Sequence, residues 1–189
     1  MLGLSAALVS YLVGSFPTAY VIANHFRKVD LSRNGSGNLG AMNAYEVTGS
    51  KSIGIIVASI DISKGFLVTS LSFWNFGSVV GMIAALFVVV GHNYSVYVRF
   101  KGGRGLATAA GTLLVVQPLA VLLYLFIYFL LRMVGLKLYL SSVIGIVLAS
   151  IPLFMKTYHA PLAFILSAGL IVVVLSKHLS PLRTEIGNA

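Results

Sequence analysis

The sequence predicts an all-α, polytopic membrane protein with about seven transmembrane helices, and three observations support this fold class. First, 58% of the 189 residues are hydrophobic and only 9% are charged, whereas about a quarter of the residues in soluble domains are charged. Second, the apolar residues form long runs, and a hydrocarbon core about 30 Å thick needs roughly 20 of them in one helix. Third, nearly all the cations fall between these runs. The candidate spans, in one integral-membrane domain over 1–189, are 2–24, 52–73, 76–92, 105–116, 118–134, 140–155 and 160–176.

The first two spans each contain a local feature. Span 2–24 lacks the basic start and the small-residue cleavage site of a signal peptide, so we expect it to be retained, with a kink at Phe16–Pro17. Span 52–73 contains Asp61 and Lys64, which are three residues apart and share one helical face. We expect an ion pair that steers helix packing, with a role in a site as the alternative.

The region 105–134 has more than one interpretation. Its first apolar run is short and ends at Gln117–Pro118, so the region is two spans, one kinked helix, or a re-entrant piece followed by a helix. Merging the two spans gives six. The charges favour seven, because an N-terminus outside then places eleven of the 13 Lys and Arg in cytoplasmic segments and Lys156 outside. We therefore expect a cytoplasmic C-terminus.

The composition also narrows the chemistry. The net charge is +9, and nearly all the cations lie between apolar runs. This placement favours lipid headgroups and phosphorylated substrates over nucleic acid as partners. Cysteine is absent and only four residues are acidic, and no HExxH or GxSxG motif occurs. A metal site and a serine hydrolase triad therefore have poor support, and no cofactor is expected. Transfer from an activated phosphorylated donor needs only cations and polar groups.

The first candidate site segment is the Gly- and Asn-rich loop LSRNGSGNLGAMNAYEVTG at 31–49. Its glycines allow positive φ and close backbone approach. A run of this kind that leads into a short helix can direct backbone N–H groups at an anion, although such clusters also form ordinary flexible turns. The residues that offer contacts are Ser36, Gly37, Asn38 and Asn43.

The second segment is KGGRG at 101–105, which precedes another apolar run. Adjacent glycines let a backbone wrap around a ligand while flanking cations neutralise its charge. The alternative is a basic anchor for anionic lipid, but an anchor has no use for three glycines among its cations. The candidate phosphate-binding residues are Lys101, Gly102, Gly103 and Arg104.

Two further polar positions lie at predicted span ends. His92 ends the third span and is either an interfacial residue, which is the commoner case, or a proton acceptor or phosphate contact. Ser142, near the start of the sixth span, is a helix-start residue unless it faces the same pocket. The loops 25–51 and 93–105 would together form a polar active site.

These segments together resemble one family, the bacterial membrane glycerol-3-phosphate acyltransferases that use acyl phosphate as donor. The matching stretches are SGNLGAMN at 36–43, DISKG at 61–65, GH at 91–92, KGGRGLAT at 101–108 and YLSS at 139–142. The resemblance implies a seven-span protein of the plasma membrane with a cytoplasmic active site. It also implies that acyl phosphate and glycerol 3-phosphate, beside membrane lipids, are its partners, and that lysophosphatidate and phosphate are the products.

The resemblance assigns roles residue by residue. It gives catalytic roles to His92, Ser36 and Asn38. His92 orients or deprotonates the acceptor, unless a substrate phosphate is the base, and Ser36 and Asn38 line the polar site. Substrate and phosphate binding fall to Gly37, Asn43, Lys101, Gly102, Gly103, Arg104 and Ser142.

The chain also departs from the family's pattern. Met42 stands where a threonine is usual, and Glu46 stands where an arginine is usual. Glu46 would repel a phosphate unless it pairs with Arg33 or Lys51. The tail HLSPLRTEIGNA keeps His178 but little else of the family's C-terminal pattern. The alternatives are therefore a diverged paralogue with another phosphorylated acceptor, and a lipid-binding or transport protein without chemistry.

Overall fold

A computed structural model describes residues 1–187, which contain nine α-helices, one short 3₁₀ helix at Val96–Val98 and no β-strand. The helices are α1 (Leu2–Ser15), α2 (Thr18–Arg27), α3 (Ala41–Thr48), α4 (Lys51–Asn93), α5 (Leu106–Val116), α6 (Pro118–Met133), α7 (Leu138–Ala149), α8 (Ile151–Thr157) and α9 (Pro161–Gly187). Each of the seven predicted spans falls on one or two of these helices.

The first apolar run is broken where the sequence predicts a kink. Helix α1 ends at Ser15 and α2 begins at Thr18, because Pro17 cannot donate the backbone hydrogen bond that would continue the helix. The break leaves carbonyl groups without helical partners. Two polar side chains use them: Lys64 Nζ donates to the Phe16 carbonyl over 3.2 Å, and the Ser95 hydroxyl donates to the Ser15 carbonyl.

Helix α4 folds back on itself at Gly77, which has a left-handed φ of 82°. In a straight helix Asp61 and His92 would be about 46 Å apart, at 1.5 Å per residue. Asp61 Oδ1 and His92 Nδ1 are in fact 3.7 Å apart, so the first arm (51–76) and the second arm (78–93) run antiparallel. These arms are the predicted second and third spans.

Close backbone contacts join α1, both arms of α4 and α5. A Cβ atom at Gly14 would overlap the Val88 carbonyl, and one at Gly65 would overlap the Thr108 carbonyl. Small residues of this kind let membrane helices approach closely where no hydrophobic effect drives them together. The α1–α4–α5 unit is therefore the tightest part of the bundle.

The region 105–134 forms two helices. Gln117 has φ −156° and ψ 81°, which ends α5, and Pro118 begins α6. Helix α6 then folds back, because Ala109 of α5 and Tyr124 of α6 line the same apolar cavity. Of α6 only Ala120 is buried, so this helix lies on the outside of the bundle.

Helix α9 extends beyond the last predicted span. It continues past residue 176 to Gly187, with Pro181 inside it. Four helical stretches within 1–187 are long and apolar enough to cross a membrane: Leu2–Arg27, Lys51–Val98, Leu138–Thr157 and Pro161–Gly187. The shorter apolar helices are α5 and α6.

The helix ends gather at two ends of the bundle. At one, here called the site end, Arg104 stacks on Tyr139 and the loops 28–40 and 94–105 lie together. At the far end, Lys156 Nζ donates to the Val116 carbonyl over 2.7 Å, and the start of α1 approaches Ile83. The eleven cations predicted in cytoplasmic segments belong to the site end and Lys156 to the far end. Which end faces the cytoplasm stays a prediction.

Candidate active site

The first loop is organised by the side chain of Asn43, which is buried on α3. Its Nδ2 donates to the carbonyls of Asn38 at 2.8 Å and Asn34 at 3.2 Å, with a longer bond to that of Leu31. Its Oδ1 accepts from the Ser36 backbone N–H at 2.9 Å. Asn43 therefore lies beneath the loop and sets its shape, while Ser36 is exposed on the loop's outer side.

Two apolar side chains hold the same loop to the bundle. Leu31 and Leu39 are buried in a cluster with Ala23 of α2, Ala44 of α3 and Val57 of α4. Because both ends of the loop are buried in this way, the polar residues between them face outward. The loop is thus fixed to the bundle at both of its ends.

The charges around the first loop differ from the expected pairing. Arg33 forms an ion pair with Asp30, with 3.5 Å between Nε and Oδ2. The Ser32 hydroxyl donates to Asp30 over 2.7 Å, and this hydrogen bond lowers the pKa of the Asp30 carboxyl. Glu46 is exposed and has no ion pair with any residue in 1–187. The suggested pairing of Glu46 with Arg33 or Lys51 is therefore not found.

The second loop packs against the end of α4 by means of its glycines. The Gly103 N–H donates to the His92 carbonyl over 3.1 Å. A Cβ at Gly102 would overlap that carbonyl, and one at Gly103 would overlap the His92 ring at Nε2. Gly105 has φ 81°, and a Cβ there would overlap the side chain of Asn93. The glycines are thus needed for contact with His92 and Asn93.

The two loops meet. The Leu39 N–H lies 3.4 Å from the Gly102 carbonyl in a hydrogen bond, and a Cβ at Gly40 would be 3.9 Å from Gly103 Cα. Beneath this junction is a small cavity whose lining includes Leu39, Gly102, Gly103 and His92. Two segments that are about 60 residues apart in the chain therefore form one feature.

An open groove of about 350 Å³ lies beside the junction. Ser36 lines it from the first loop and Arg104 from the second, opposite Ser180 and Thr184 of α9. The Arg104 guanidinium carbon is 4.6 Å from the centre of the Tyr139 ring, which also lines the groove. A guanidinium stacked in this way keeps the N–H groups at its edge available to bind two oxygens of an anion such as phosphate.

Glu185 supports the floor of this groove, a role that the sequence did not reveal. Its Oε1 accepts from the Tyr139 N–H at 3.0 Å, and its Oε2 accepts from the Leu140 N–H at 2.9 Å. A carboxylate at the first turn of α7 satisfies otherwise unpaired donors and complements the helix dipole. Because its partners are 45 residues or more away in sequence, no local pattern could have indicated this contact.

The remaining predicted residues occupy three different settings. Asn38 is half-buried, with its Oδ1 near Gly40. Lys101 is exposed, close enough to Asp30 for their charges to interact. Ser142 is buried between α6 and α7, where its Oγ is 3.1 Å from the Tyr124 hydroxyl. Ser142 thus lies one helical turn behind Tyr139 and not in the open groove.

His92 itself is buried and takes part in a polar cluster. Its Nδ1 lies 3.7 Å from Asp61 Oδ1, and Lys64 Nζ lies 2.9 Å from the same oxygen. The predicted pairing of Asp61 with Lys64 is confirmed. The proximity of His92 was not predicted.

Comparison with known proteins identifies the family. A sequence profile described as "Glycerol-3-phosphate acyltransferase" matches residues 4–186. The chain belongs to this family. A glycerol-3-phosphate acyltransferase 2 from Moorella thermoacetica is 37% identical over 163 residues, 86% of this chain and 82% of that protein. A glycerol-3-phosphate acyltransferase from Staphylococcus saprophyticus is 37% identical over 189 residues, 95% of this chain and 90% of that protein.

Solved structures of a family member are also similar. The crystal structure of PlsY, an integral membrane glycerol 3-phosphate acyltransferase, in its glycerol 3-phosphate form has a TM-score of 0.86 and 30% identity, covering 98% of this chain and 92% of that one. The lysophosphatidic acid form has a TM-score of 0.84, 29% identity and the same coverage. The predicted all-α integral-membrane fold and the resemblance to the acyltransferase family are thereby confirmed.

Proposed function

We propose that this chain transfers a fatty acyl group from acyl phosphate to the 1-hydroxyl of glycerol 3-phosphate, giving lysophosphatidate and inorganic phosphate. The observation that carries the proposal is the junction of the two glycine-bearing loops beside a groove that both Ser36 and Arg104 line. Family membership supports acyl transfer to glycerol 3-phosphate, since relatives along most of the chain are named glycerol-3-phosphate acyltransferases.

Binding of the phosphate groups falls to the second loop and its neighbours. Arg104 offers a planar donor fork, and exposed Lys101 adds a second cation at the same turn. Ser36 and Asn38 supply polar contacts from the facing loop. Gly37 places no side chain beside the site, and the missing side chains of Gly102 and Gly103 let the cationic loop lie directly against His92.

The proposed reaction balances without a covalent enzyme intermediate. The acceptor's hydroxyl oxygen attacks the acyl carbonyl carbon, a new ester C–O bond forms, and the C–O bond to the donor's phosphate breaks. The hydroxyl proton passes to His92 or to a substrate phosphate, and the electron pair of the broken bond leaves on inorganic phosphate. Cations at the loops stabilise the negative charge that develops there.

We also propose that the site end faces the cytoplasm of a cell whose plasma membrane holds the protein, with the N-terminus outside. The clustering of eleven cations at that end supports this orientation. Because the chain has no cysteine, single cysteines at exposed Asn34 and His159 report the two ends by labelling from one side. Labelling of Asn34→Cys from outside intact cells would overturn the orientation.

The reaction is tested by acceptor-dependent phosphate release. Purified protein in detergent is given acyl phosphate with and without glycerol 3-phosphate, and both phosphate and lysophosphatidate are measured. We expect phosphate release to require the acceptor and to match lysophosphatidate one for one. Release at the same rate without acceptor, or no lysophosphatidate, would overturn the proposal.

A second candidate function is acylation of another phosphorylated polyol. It is favoured by Glu46, an exposed carboxylate with no ion pair in 1–187 on the helix that follows the first loop. Inert wild-type protein together with activity on glycerol 3-phosphate in Glu46→Arg would favour this candidate.

A further inference from the structure

A buried polar cluster connects four parts of the molecule beneath the loop junction. Asp61 lies on the first arm of α4, Lys64 one turn later, and His92 at the end of the second arm. Only 1% of Asp61, 9% of Lys64 and 7% of His92 is exposed. Charged groups inside a membrane protein are costly unless they are paired, so such clusters require an explanation.

Asp61 Oδ1 is the centre of the cluster, because both Lys64 and His92 approach this one oxygen. Lys64 Nζ forms its hydrogen bond with the Phe16 carbonyl at 3.2 Å, where α1 is broken, and an ion pair with Asp61 Oδ1 at 2.9 Å. Within the described residues Asp61 Oδ1 accepts no hydrogen bond. His92 Nδ1 also lies 3.7 Å from this oxygen.

The other side of the imidazole faces the second loop. A Cβ at Gly103 would overlap Nε2, and His92 lines the small cavity that both loops border. One ring nitrogen is thus next to a buried carboxylate and the other next to the proposed site. In a neutral histidine one nitrogen carries the proton and the other accepts, and the partner of the first decides which is which.

We propose that Asp61, with Lys64, is a positioning residue for His92. In the proposed arrangement the His92 proton is on Nδ1 and is directed at Asp61 Oδ1. The two atoms are 3.7 Å apart, and catalytic contacts of this length often tighten to hydrogen bonds when substrate binds. The contact fixes the ring orientation and leaves the lone pair on Nε2 toward the loops. Lys64 compensates the carboxylate charge and is itself held by the Phe16 carbonyl. This inference rests on the proposed function, because it assigns Asp61 and Lys64 a part in the acyl transfer through His92.

A merely structural ion pair makes a different prediction. Such a pair would hold α1 to α4, and its loss would lower stability and activity whatever residue stands at position 92. A positioning pair acts through His92 alone. A double-mutant cycle separates these cases, since coupled residues give non-additive effects.

The test variant is Asp61→Asn/Lys64→Met, which removes both charges and so leaves no uncompensated charge buried. We expect kcat to fall by about 10- to 100-fold, the range typical when a group that orients a metal-binding histidine is lost. The KM values for acyl phosphate and glycerol 3-phosphate should stay within about twofold. His92→Gln should lower kcat similarly, and combining it with the double variant should lower kcat no further.

A matched control is Lys156→Met. This variant removes another cation that donates to a carbonyl at a helix end, that of Val116 at 2.7 Å, but it lies at the far end of the bundle, away from His92. We expect its kcat to match that of wild-type protein. Two results would overturn the positioning role. One is a combined variant whose loss of kcat is the product of the separate losses, and the other is an unchanged kcat in Asp61→Asn/Lys64→Met.

A measurement on wild-type protein keeps the proposal testable if the double variant does not fold. The chain has four histidines, so nitrogen-15 spectra of labelled histidine resolve the tautomer of His92, assigned by its loss in His92→Gln. We expect the proton on Nδ1, and a proton on Nε2 alone would contradict the proposal. Absence of acyl transfer in wild-type protein would instead overturn the proposed function, and the tautomer would still report the contact with Asp61.

Discussion

The two loops of the candidate site are built in opposite ways. The first loop is held by one side chain, Asn43, whose amide forms hydrogen bonds with the backbone of four other residues. The second loop is held by the absence of side chains, since its glycines allow contact with His92 and Asn93. The first loop is therefore sensitive to removal of the Asn43 amide, and the second loop is sensitive to addition of a side chain at one of its glycines.

The comparison predicts the largest effect where an atom is added. Gly103→Ala places a methyl group on the buried His92 ring, and overpacking typically costs about 1–3 kcal/mol. We expect kcat/KM to fall by about 100-fold while the protein remains folded in detergent. Gly169→Ala is the matched control, because its Cβ would make only ordinary contact with Leu86 at 3.4 Å. Equal activity in the two variants would show that the second loop tolerates a side chain.

The next effect concerns the one side chain that the second loop contributes to the groove. Arg104→Met removes the guanidinium above Tyr139, and hydrogen bonds to charged groups contribute about 1.5–3 kcal/mol each. We expect KM for glycerol 3-phosphate to rise by about 30-fold in steady-state assays. Arg104→Lys keeps the charge but not the fork, so its KM should lie between those of Arg104→Met and wild-type protein. An unchanged KM in both variants would place the phosphate elsewhere.

Removal of the first loop's organising group should have a smaller effect. Asn43→Ala deletes the amide, but the carbonyls of Asn34 and Asn38 belong to exposed or half-buried residues and can bind water in its place; that of Leu31 is buried. We expect roughly a tenfold loss of kcat/KM and faster hydrogen exchange at the Ser36 N–H. If exchange at Ser36 is unchanged, Asn43 does not hold the loop.

The smallest expected effect lies in the support beneath the groove. Glu185→Gln keeps one acceptor for the α7 N–H groups but removes the charge, at a cost of about 1 kcal/mol. A decrease of a few degrees in the apparent melting temperature, with nearly normal activity, is the expected result. A large loss of activity without destabilisation would mean that Glu185 contacts substrate.

The features that the sequence predicted correctly are local ones. The apolar runs, the break at Phe16–Pro17 and the Asp61–Lys64 pair each depend on residues within a few positions of one another. The end of α9 was missed for the opposite reason. Polar residues after 176 suggested an exit from the membrane helix, but a helix can continue beyond its apolar part when, as at Glu185, its side chains bond to a neighbouring helix.

The site was predictable only in part. Residue types and loop order identified Ser36, His92 and Arg104 as candidates, but the position of Asn43 beneath its loop depends on tertiary folding. The contact between Asp61 and His92 depends on the turn at Gly77, which brings together residues 31 positions apart. Contacts of this kind leave no periodic pattern in the sequence, so they are not predictable from the sequence alone.

The helix break at Pro17 has a consequence for how the charge of Lys64 is stabilised in an apolar environment. In water an ammonium ion is hydrated, but a hydrocarbon surrounding offers nothing in place of that hydration. Here the carbonyl of Phe16, at the break between α1 and α2, accepts from Lys64 in place of a water molecule. A substitution that restored a continuous first helix would therefore strengthen that helix locally but leave the Lys64 ammonium without this acceptor.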